Sequence, residues 1–352
     1  MVRPQLNSPA TKSLQCEGDS TKVERPVNIA RIISALNRFP RTPLGIFPSP
    51  VRLAGLANVG NFWIKDDGGC SHIYGGNKVR KLEYLLAHTQ QLGRRALVVH
   101  GDVESHTVQA CGLLGQHAGL EVHAVVFPHK RQSFDVAELA SLRRSGVRVH
   151  CRNSMLTAIL HAHWIGWCER AAVVPLGAST TGATLGHVRA ALELLEQVRQ
   201  GELPEPRRIY IPFATGGSVA GLLIGLALAG AKTRVVAVQS VERVIANRHR
   251  LERLTKSALK ILGFGRPEFE LCMRQLERID RSQLGKGYRD IPTATQRAVS
   301  LAGKHGLRLE PAFSGKAFAA LLEALPEFPN GELLFWNTHD QSGGSTKIGG
   351  TR

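Results

Sequence analysis

The sequence predicts an α/β fold with two lobes, in which parallel sheets are flanked by helices. The chain has 352 residues, more than a single hydrophobic core usually organises. From about residue 94, short β-branched runs alternate with longer amphipathic stretches, as in βαβ units. Glycine is plentiful, with 36 residues, and aromatic residues make up only 6%. This composition suits an α/β enzyme better than a β-sandwich or a disordered chain.

A first series of elements extends to residue 177. Strands are predicted over 95–101, 121–128, 147–152 and 173–177. Helices are predicted over 105–120, 134–146 and 156–171. The regular alternation indicates a parallel sheet with its helices packed on the faces.

A second series follows the first. Helices are predicted over 182–200 and 219–230, and strands over 207–214, 234–241, 306–311 and 332–338. The segment 243–292 is strongly charged and is predicted to be mostly helical. The Gly-rich stretch SGGSTKIGG near the end is predicted to be disordered. Two series indicate two lobes, with ligands bound outside the carboxyl ends of the strands.

The bulk properties narrow the class of protein. The formal charge is +17, but Lys and Arg are scattered over predicted helix faces, which favours a solvated surface over a nucleic-acid footprint. The first 25 residues lack the apolar region of a secretory signal, and no run is long enough to span a membrane. The six cysteines are widely spaced, so neither a metal site nor a disulfide framework is indicated. The chain is therefore predicted to be cytoplasmic.

The segment TGGSVAG follows an apolar strand and begins a helix. Its backbone N–H groups, with the hydroxyls of Thr215 and Ser218, could bind a phosphate at the helix N-terminus. The alternative is an ordinary strand-to-helix turn in which Ser218 caps the helix. The segment matches neither the Walker sequence nor the dinucleotide G-x-G-x-x-G pattern.

Lys78 follows Gly-Gly-Asn at the start of a predicted helix. A lysine that forms a Schiff base needs a lowered pKa, and Arg80 and Lys81 are cationic neighbours that could lower the pKa of Lys78. The alternative is a solvated lysine at a helix start.

Several motifs together resemble one family. They are RTPLGIFPSP, KDDGG, GGNKVRKLEYLL, PLGASTTGATLGHVRAALEL, FATGGSVAGL, LEPAFSGKAFAALL and LLFWNTHD, in that order over roughly residues 40–340. They resemble the family of D-cysteine desulfhydrase and 1-aminocyclopropane-1-carboxylate deaminase. The string Gly-Gly-Asn-Lys-x-Arg-Lys-Leu-Glu is the most specific of them.

The resemblance implies a fold and a cofactor. The fold would be the two-lobed fold type II of pyridoxal-phosphate enzymes, which is like the tryptophan synthase β subunit. Residues 29–63 and 173–340 would form the large cofactor-binding domain and 64–172 the small domain, with a disordered leader at 1–28 and a flexible tail at 341–352. The cofactor would be pyridoxal 5'-phosphate.

The resemblance also implies roles for individual residues. Lys78 would carry the cofactor and move protons, and the segment from Thr215 through Gly216 and Gly217 to Ser218 would hold its phosphate. Ser314 would face the pyridine nitrogen, where a neutral hydroxyl leaves the cofactor a weaker electron sink than a carboxylate does. That residue favours β-elimination over opening of a cyclopropane ring. Asn77 and Thr338 would be further cofactor contacts.

The chain departs from the family pattern near residue 105. Ser105 matches the family serine near the substrate, but the Gln, Asn and His around it are Glu104, His106 and Thr107 here. His106 could replace the Asn as a donor to the phenolic oxygen of the cofactor. Glu104 is expected to disfavour the carboxylate of a small anionic substrate, unless it points outward and pairs with an arginine. Ser105 is a catalytic candidate that could equally cap a helix.

Other departures lie further along the chain. Tyr288 matches a family tyrosine near the substrate, and it is a catalytic candidate. The glycine after it is replaced by Arg289, and a second family tyrosine is Phe313. His339 stands where the family has a glycine.

The predicted function is a pyridoxal-phosphate-dependent lyase or deaminase that acts on a small amino acid by α,β-elimination. It would release a keto acid, ammonia and a leaving group such as sulfide. The alternatives are a β-replacement synthase, an enzyme like 1-aminocyclopropane-1-carboxylate deaminase, and a degenerate fold kept as a binding protein. Retention of Lys78 and of the phosphate segment argues against the last. The family suggests a homodimer, and neither a membrane nor a nucleic-acid partner is expected.

Overall fold

The computed structural model describes residues 29–56, 60–128, 134 and 136–341. The predicted leader lies outside the described residues, and so does the tail from residue 342. The elements of the first half are α1 (Ile29–Asn37), β1 (Val51–Leu56), β2 (Gly60–Asp66), α2 (Asn77–Gln91), β3 (Ala96–Asp102), α3 (His106–His117), β4 (Glu121–Phe127), α4 (Val136–Arg144), β5 (Arg148–Cys151), α5 (Met155–Cys168) and β6 (Ala172–Val174).

The second half continues the alternation of helices and strands. Its elements are α6 (Thr181–Arg199), β7 (Arg208–Phe213), α7 (Gly217–Leu228), β8 (Arg234–Gln239), α8 (Arg248–Leu262), α9 (Arg266–Gln275), β9 (Leu276–Asp280), α10 (Thr293–Lys304), α11 (Lys316–Ala324) and β10 (Asn330–Asn337).

The larger sheet has six strands in the order β1-β2-β10-β7-β8-β9. All neighbours in it are parallel except β1 and β2, which pair antiparallel. Helices α6, α7 and α8 cover one face with an aliphatic core, and α10 and α11 cover the other. Both faces are thus buried, as parallel strands with continuous apolar sequences require.

The smaller sheet has four parallel strands in the order β5-β4-β3-β6. Every residue of β3 is buried, because α2 and α3 pack on one face of the sheet and α5 packs on the other. Two helix-flanked sheets confirm the predicted α/β fold class.

One sequence expectation for a single element is wrong, and another is incomplete. Residues 306–311 do not form a strand: Leu307 and Leu309 are buried, but the chain turns at Pro311 into one π-helical turn. The charged segment 243–292 contains α8 and α9 but also β9, which pairs with the outer side of β8.

The predicted domain boundaries remain a prediction. The boundary after residue 63 falls inside β2, and the one after residue 172 falls inside β6. The strands of the larger sheet come from both predicted segments of the large domain, and those of the smaller sheet come from 96–174. None of the described helices is long and apolar enough to span a membrane.

Candidate active site

A cavity of about 290 Å³ lies between the two sheets, at the carboxyl ends of β3, β7 and β10. Side chains from both lobes line it. All the site residues that the sequence predicts, except Gly217, lie on its wall: Asn77, Lys78, Ser105, His106, Thr215, Gly216, Ser218, Tyr288, Ser314 and Thr338. The fold therefore brings together residues that are more than 250 positions apart in the sequence.

Lys78 lies in the first turn of α2, at one wall of the cavity. The turn before it needs glycine: Gly76 has a φ of 82°, and a Cβ there would lie 2.5 Å from the carbonyl oxygen of Thr338. Lys78 Nζ donates to Asn77 Oδ1 at 3.0 Å, and Asn77 Nδ2 donates to Ser218 Oγ at 3.1 Å. Asn77 therefore connects the lysine to the predicted phosphate segment.

The pKa of Lys78 is lowered to about 8 by burial, while the negative charge of Glu310 partly opposes the change. The expectation that Arg80 and Lys81 lower this pKa is not met. The Arg80 guanidinium is buried against Asp67 Oδ1 at 2.7 Å and Glu193 Oε2 at 2.9 Å, so its charge is neutralised away from the cavity.

Asp66 and Asp67 hold the loop before Lys78. Asp67 also accepts a hydrogen bond from Trp336 Nε1 at 2.9 Å, and Asp66 accepts one from Asn337 Nδ2 at 2.8 Å. Both partners lie on β10. The paired aspartates of the motif thus attach the start of α2 to the larger sheet.

Lys81 also lines the cavity, although the sequence motifs indicate no cofactor-binding role for it. Lys81 Nζ donates to Ser179 Oγ at 3.1 Å and to the carbonyl oxygen of Gly177 at 3.2 Å. Ser179 Oγ in turn lies 2.7 Å from Thr215 Oγ1. Burial holds the pKa of Lys81 well below its usual value, and the positive charges of Lys78 and Arg250 lower it further. The available signal was its position three residues after Lys78, on the same face of α2.

The residues at the N-terminus of α7 fit a phosphate group. The first N–H groups of a helix have no partner within the helix and attract anions. The backbone of Gly217 leaves room that a side chain would fill, because a Cβ there would lie 2.7 Å from Ser179 Oγ and 3.3 Å from Lys81 Nζ. The hydroxyls of Ser179 and Thr215, the N-terminus of α7 and the amine of Lys81 thus surround one small space.

Ser314 lies on the cavity wall in the π-helical turn Pro311–Gly315. It is 1% exposed, and its Oγ accepts from the backbone N–H of Glu310 at 2.9 Å. The Glu310 carboxylate caps the same turn by accepting from the N–H groups of Ala312 and Phe313. Ser314 is therefore a neutral residue of the cavity wall, and its contact with a pyridine nitrogen stays a prediction.

In the altered loop before α3, Ser105 and Glu104 have different roles. Ser105 caps α3, since its Oγ accepts from the N–H of Thr107 at 3.3 Å. The expectation that Glu104 faces the substrate carboxylate is wrong. Glu104 does not line the cavity, its side chain is 49% exposed, and its Oε2 lies 2.9 Å from Arg289 Nη2. The outward orientation is the alternative that the sequence analysis left open.

His106 forms part of a group of aromatic side chains at the opposite wall. Its Nδ1 lies 2.8 Å from the hydroxyl of Tyr74, and its ring centroid lies 5.1 Å from that of His339. Burial lowers the pKa of His106 to about 3, and His339 and Lys78 contribute to the lowering. His106 is therefore a neutral imidazole in the cavity. The sequence analysis missed Tyr74, which only the folded chain brings to His106.

Tyr288 and Thr338 complete the wall. The Tyr288 ring packs on Phe313 with centroids 5.1 Å apart, and its backbone N–H donates to Glu242 Oε1 at 3.1 Å. Burial raises the pKa of Tyr288, so the phenol is neutral. The carbonyl oxygen of Thr338 accepts from the N–H of Asn77 at 3.2 Å. Among the described residues, no group of three or more His, Cys, Asp or Glu could hold a metal ion.

Comparison with known proteins identifies the family. The model of the family described as "Pyridoxal-phosphate dependent enzyme" matches residues 40–338. The chain belongs to this family. Pyridoxal phosphate is its cofactor, and the residues around Lys78 and Gly217 fit that group.

Similar proteins agree with the family assignment and with the fold. The chain is 29% identical to nocardicin C-9' epimerase of Nocardia uniformis subsp. tsuyamanensis, over 90% of this chain and 95% of the relative. It is 26% identical to D-cysteine desulfhydrase of Serratia proteamaculans, over 86% and 94%. A solved homologue of 1-aminocyclopropane-1-carboxylate deaminase superposes with a TM-score of 0.74 at 25% identity, over 89% and 95%. The predicted resemblance is confirmed.

Proposed function

We propose that this pyridoxal-phosphate-dependent enzyme is a carbon–sulfur lyase that acts on D-cysteine or a closely related small amino acid. D-cysteine and water would give pyruvate, ammonia and hydrogen sulfide. The observation that carries the proposal is one cavity that joins Lys78, a phosphate site at the N-terminus of α7, and the neutral Ser314. The resemblance to a desulfhydrase over 86% of the chain supports it.

The residues present suit the removal of a proton from the substrate α-carbon. The bound cofactor withdraws electrons from that carbon. Lys78 can accept the proton because its pKa of about 8 leaves a substantial neutral fraction at neutral to slightly alkaline pH. Ser105 and the neutral Tyr288 are hydroxyl donors on the same wall, and they are proposed to orient the substrate and its leaving group.

The size of the cavity supports a small substrate. At about 290 Å³, it lies just below the usual range for ligand pockets, about 300–1,000 Å³. The cofactor fills much of such a space, so the volume that remains suits a small amino acid.

The experiment is an absorption spectrum of the purified protein followed by product assays. A visible band, its loss on borohydride reduction, and a pyridoxyl label on the peptide containing Lys78 are expected. A label on Lys65 or Lys81 would contradict the assignment of Lys78. Sulfide and pyruvate should appear from D-cysteine faster than from L-cysteine. Release of 2-oxobutyrate from 1-aminocyclopropane-1-carboxylate as the main activity would overturn the lyase assignment.

One observation favours a second candidate, epimerisation at an α-carbon. The Nocardia relative is named an epimerase and is 29% identical over nearly the whole chain. Epimerisation needs a second proton donor besides Lys78, and Ser105 and Tyr288 are candidates. Chiral chromatography of unreacted D-cysteine after partial turnover separates the two, since a lyase leaves no L-cysteine.

The location and assembly of the enzyme are also proposals. The sequence is consistent with a cytoplasmic enzyme, and the family resemblance suggests a homodimer.

A further inference from the structure

Helix α5 is predominantly apolar, with Thr157, His161 and His163 as its polar side chains. Its 14 residues, MLTAILHAHWIGWC, contain no Asp, Glu, Lys or Arg, although 21% of the whole chain is charged. Ala158, Ala162 and Ile165 on its inner side are buried against the smaller sheet. A surface helix of a globular protein ordinarily carries charged and polar residues on its outer side.

The outer side of α5 is nevertheless exposed in the described part of the chain. Its large apolar side chains, which we call the α5 face, are Leu156 (66% exposed), Leu160 (62%), Trp164 (60%) and Trp167 (80%), whereas Met155 at the start of the helix borders the active-site cavity. They amount to on the order of 600 Å² of apolar surface. Two such faces would bury about 1,200 Å², the lower limit for a stable protein–protein interface.

We propose that the α5 face binds the α5 face of a second copy of this chain, with the two helices antiparallel. Leu160 lies four residues from both Leu156 and Trp164, so a two-fold axis at Leu160 places each Trp164 on the Leu156 of the other copy. This is the self-complementary contact that two-fold symmetry requires. Trp167 then packs against the Met155 end of the other helix.

The distribution of charge favours this register. Two copies of a chain with a formal charge of +17 repel each other, and an uncharged helix face is where that repulsion is smallest. The antiparallel arrangement also brings Glu169, just after α5, towards Arg152, just before α5 in the other copy. Opposite charges at both edges of the interface fix the register of the pair.

A cysteine at the two-fold axis tests the register directly. Leu160→Cys should form a disulfide with its own copy under mild oxidation, because residues at the axis approach within the Cα separation that a disulfide allows. The native Cys168 is exposed but would lie about 24 Å from its copy, so the wild type should not cross-link. Leu92→Cys is the matched control, since Leu92 is 60% exposed and lies on another helix end.

A lysine on the α5 face tests its contribution to association. Trp164→Lys should raise the dissociation constant of the dimer by about thirtyfold or more in sedimentation, as expected for a central tryptophan in an interface. Leu92→Lys should leave the dimer unchanged. Retention of the cofactor absorption and of the activity with D-cysteine shows that the variants are folded, and these readouts separate this inference from the proposed function.

Three results would overturn the inference. They are a monomeric wild type, a dimer that Trp164→Lys leaves intact, and a Leu160→Cys variant that stays uncross-linked. Sedimentation of the wild type with phosphatidylglycerol vesicles, lost in Trp164→Lys, would assign the α5 face to a bilayer surface instead and would also overturn it.

Discussion

The hydrogen bond between Tyr74 and His106 bears on which nitrogen of the imidazole carries the proton. Burial keeps the Tyr74 phenol protonated, because it raises the pKa of that phenol well above the usual value. The phenol oxygen lies 2.8 Å from Nδ1, and a neutral phenol can donate a hydrogen bond to an unprotonated Nδ1. We therefore predict that the proton of the neutral imidazole resides on Nε2 and that His106 is an N–H donor in the cavity.

We expect Tyr74→Phe to leave Nδ1 of His106 without its donor. An unsatisfied buried nitrogen costs about 1–3 kcal/mol, so the free energy of unfolding should fall by that amount. The proton should redistribute between the two ring nitrogens, which nitrogen-15 NMR of the protein without cofactor measures. The pH dependence of the visible cofactor band should shift as well, because the donor facing the cofactor is weakened.

Tyr84→Phe is the matched control for this variant. Tyr84 is as buried as Tyr74, and its hydroxyl accepts a hydrogen bond from Arg189 Nε, but it does not line the cavity. The Tyr84→Phe variant should be less stable, but its nitrogen-15 spectrum of His106 and its cofactor band should match those of the wild type. An unchanged histidine spectrum in Tyr74→Phe would contradict the assignment of the Nε2 tautomer.

The sequence predicts single residues of the site correctly where their neighbours in the chain carry the signal. Lys78 and the segment from Thr215 to Ser218 lie within contiguous motifs, and each begins a helix. The sequence does not predict contacts between distant segments. Besides Asp67, Arg80 pairs with Glu193, 113 residues away, and Glu104 pairs with Arg289, 185 residues away, so no local pattern indicates these two distant partners.

At the scale of the element, the errors have a physical pattern. Strands β3, β4, β7 and β8 are buried on both faces, and their β-branched runs predict them. Strand β9 lies at a sheet edge, and its Glu277 and Arg278 read as a solvated segment. Residues 306–311 alternate between apolar and polar side chains as a strand does, but they do not pair with a described strand. The extended segment stops where Glu310 caps the next turn. Strand formation depends on a partner that the sequence of one segment does not contain.

The N-terminus of α7 provides a prediction at this scale. Ser218→Asp places a carboxylate among the donors that would hold the cofactor phosphate, so the dissociation constant for pyridoxal phosphate should rise by a hundredfold or more. The substitution should not weaken helix α7 in the protein without cofactor, because an acidic residue in the first turn of a helix typically contributes about 0.3–1 kcal/mol of stability. Fluorescence titration with the cofactor and thermal unfolding of the cofactor-free protein measure the two effects.

Thr293→Asp is the control, since it places the same charge in the first turn of α10, where Thr293 is exposed. It should leave cofactor binding unchanged. Unaltered affinity in Ser218→Asp would show that the phosphate binds elsewhere.

At the scale of the whole molecule, Arg289 links the two lobes across the edge of the cavity. It lies in the segment between β9 and α10, and its Nη2 is 2.9 Å from both Asp102 Oδ2 at the end of β3 and Glu104 Oε2. Two departures from the family pattern, Glu104 and Arg289, thus compensate for each other. One guanidinium offsets two carboxylates, of which only Asp102 lines the cavity.

Glu104→Gln and Arg289→Gln should therefore have unequal effects on the kinetics with D-cysteine. Glu104→Gln removes an exposed charge from a partly exposed pair that contributes about 1 kcal/mol or less, so kcat/KM for D-cysteine should change less than about threefold. Arg289→Gln removes the cation that Asp102 and Glu104 share. The increase in negative charge at the cavity edge should raise the KM for an anionic substrate by about tenfold, with a smaller effect on kcat.

Added salt and a double variant show whether Arg289→Gln raises KM through the lost charge or through a change in structure. Added salt screens exposed charges, so the KM of Arg289→Gln should fall towards the wild-type value as ionic strength rises. Glu104→Gln combined with Arg289→Gln should recover part of the loss, because one of the two carboxylates that Arg289 contacts is then absent. If Glu104→Gln alone increases kcat/KM more than threefold, Glu104 acts on the substrate despite its pairing, and Arg289 does not neutralise it.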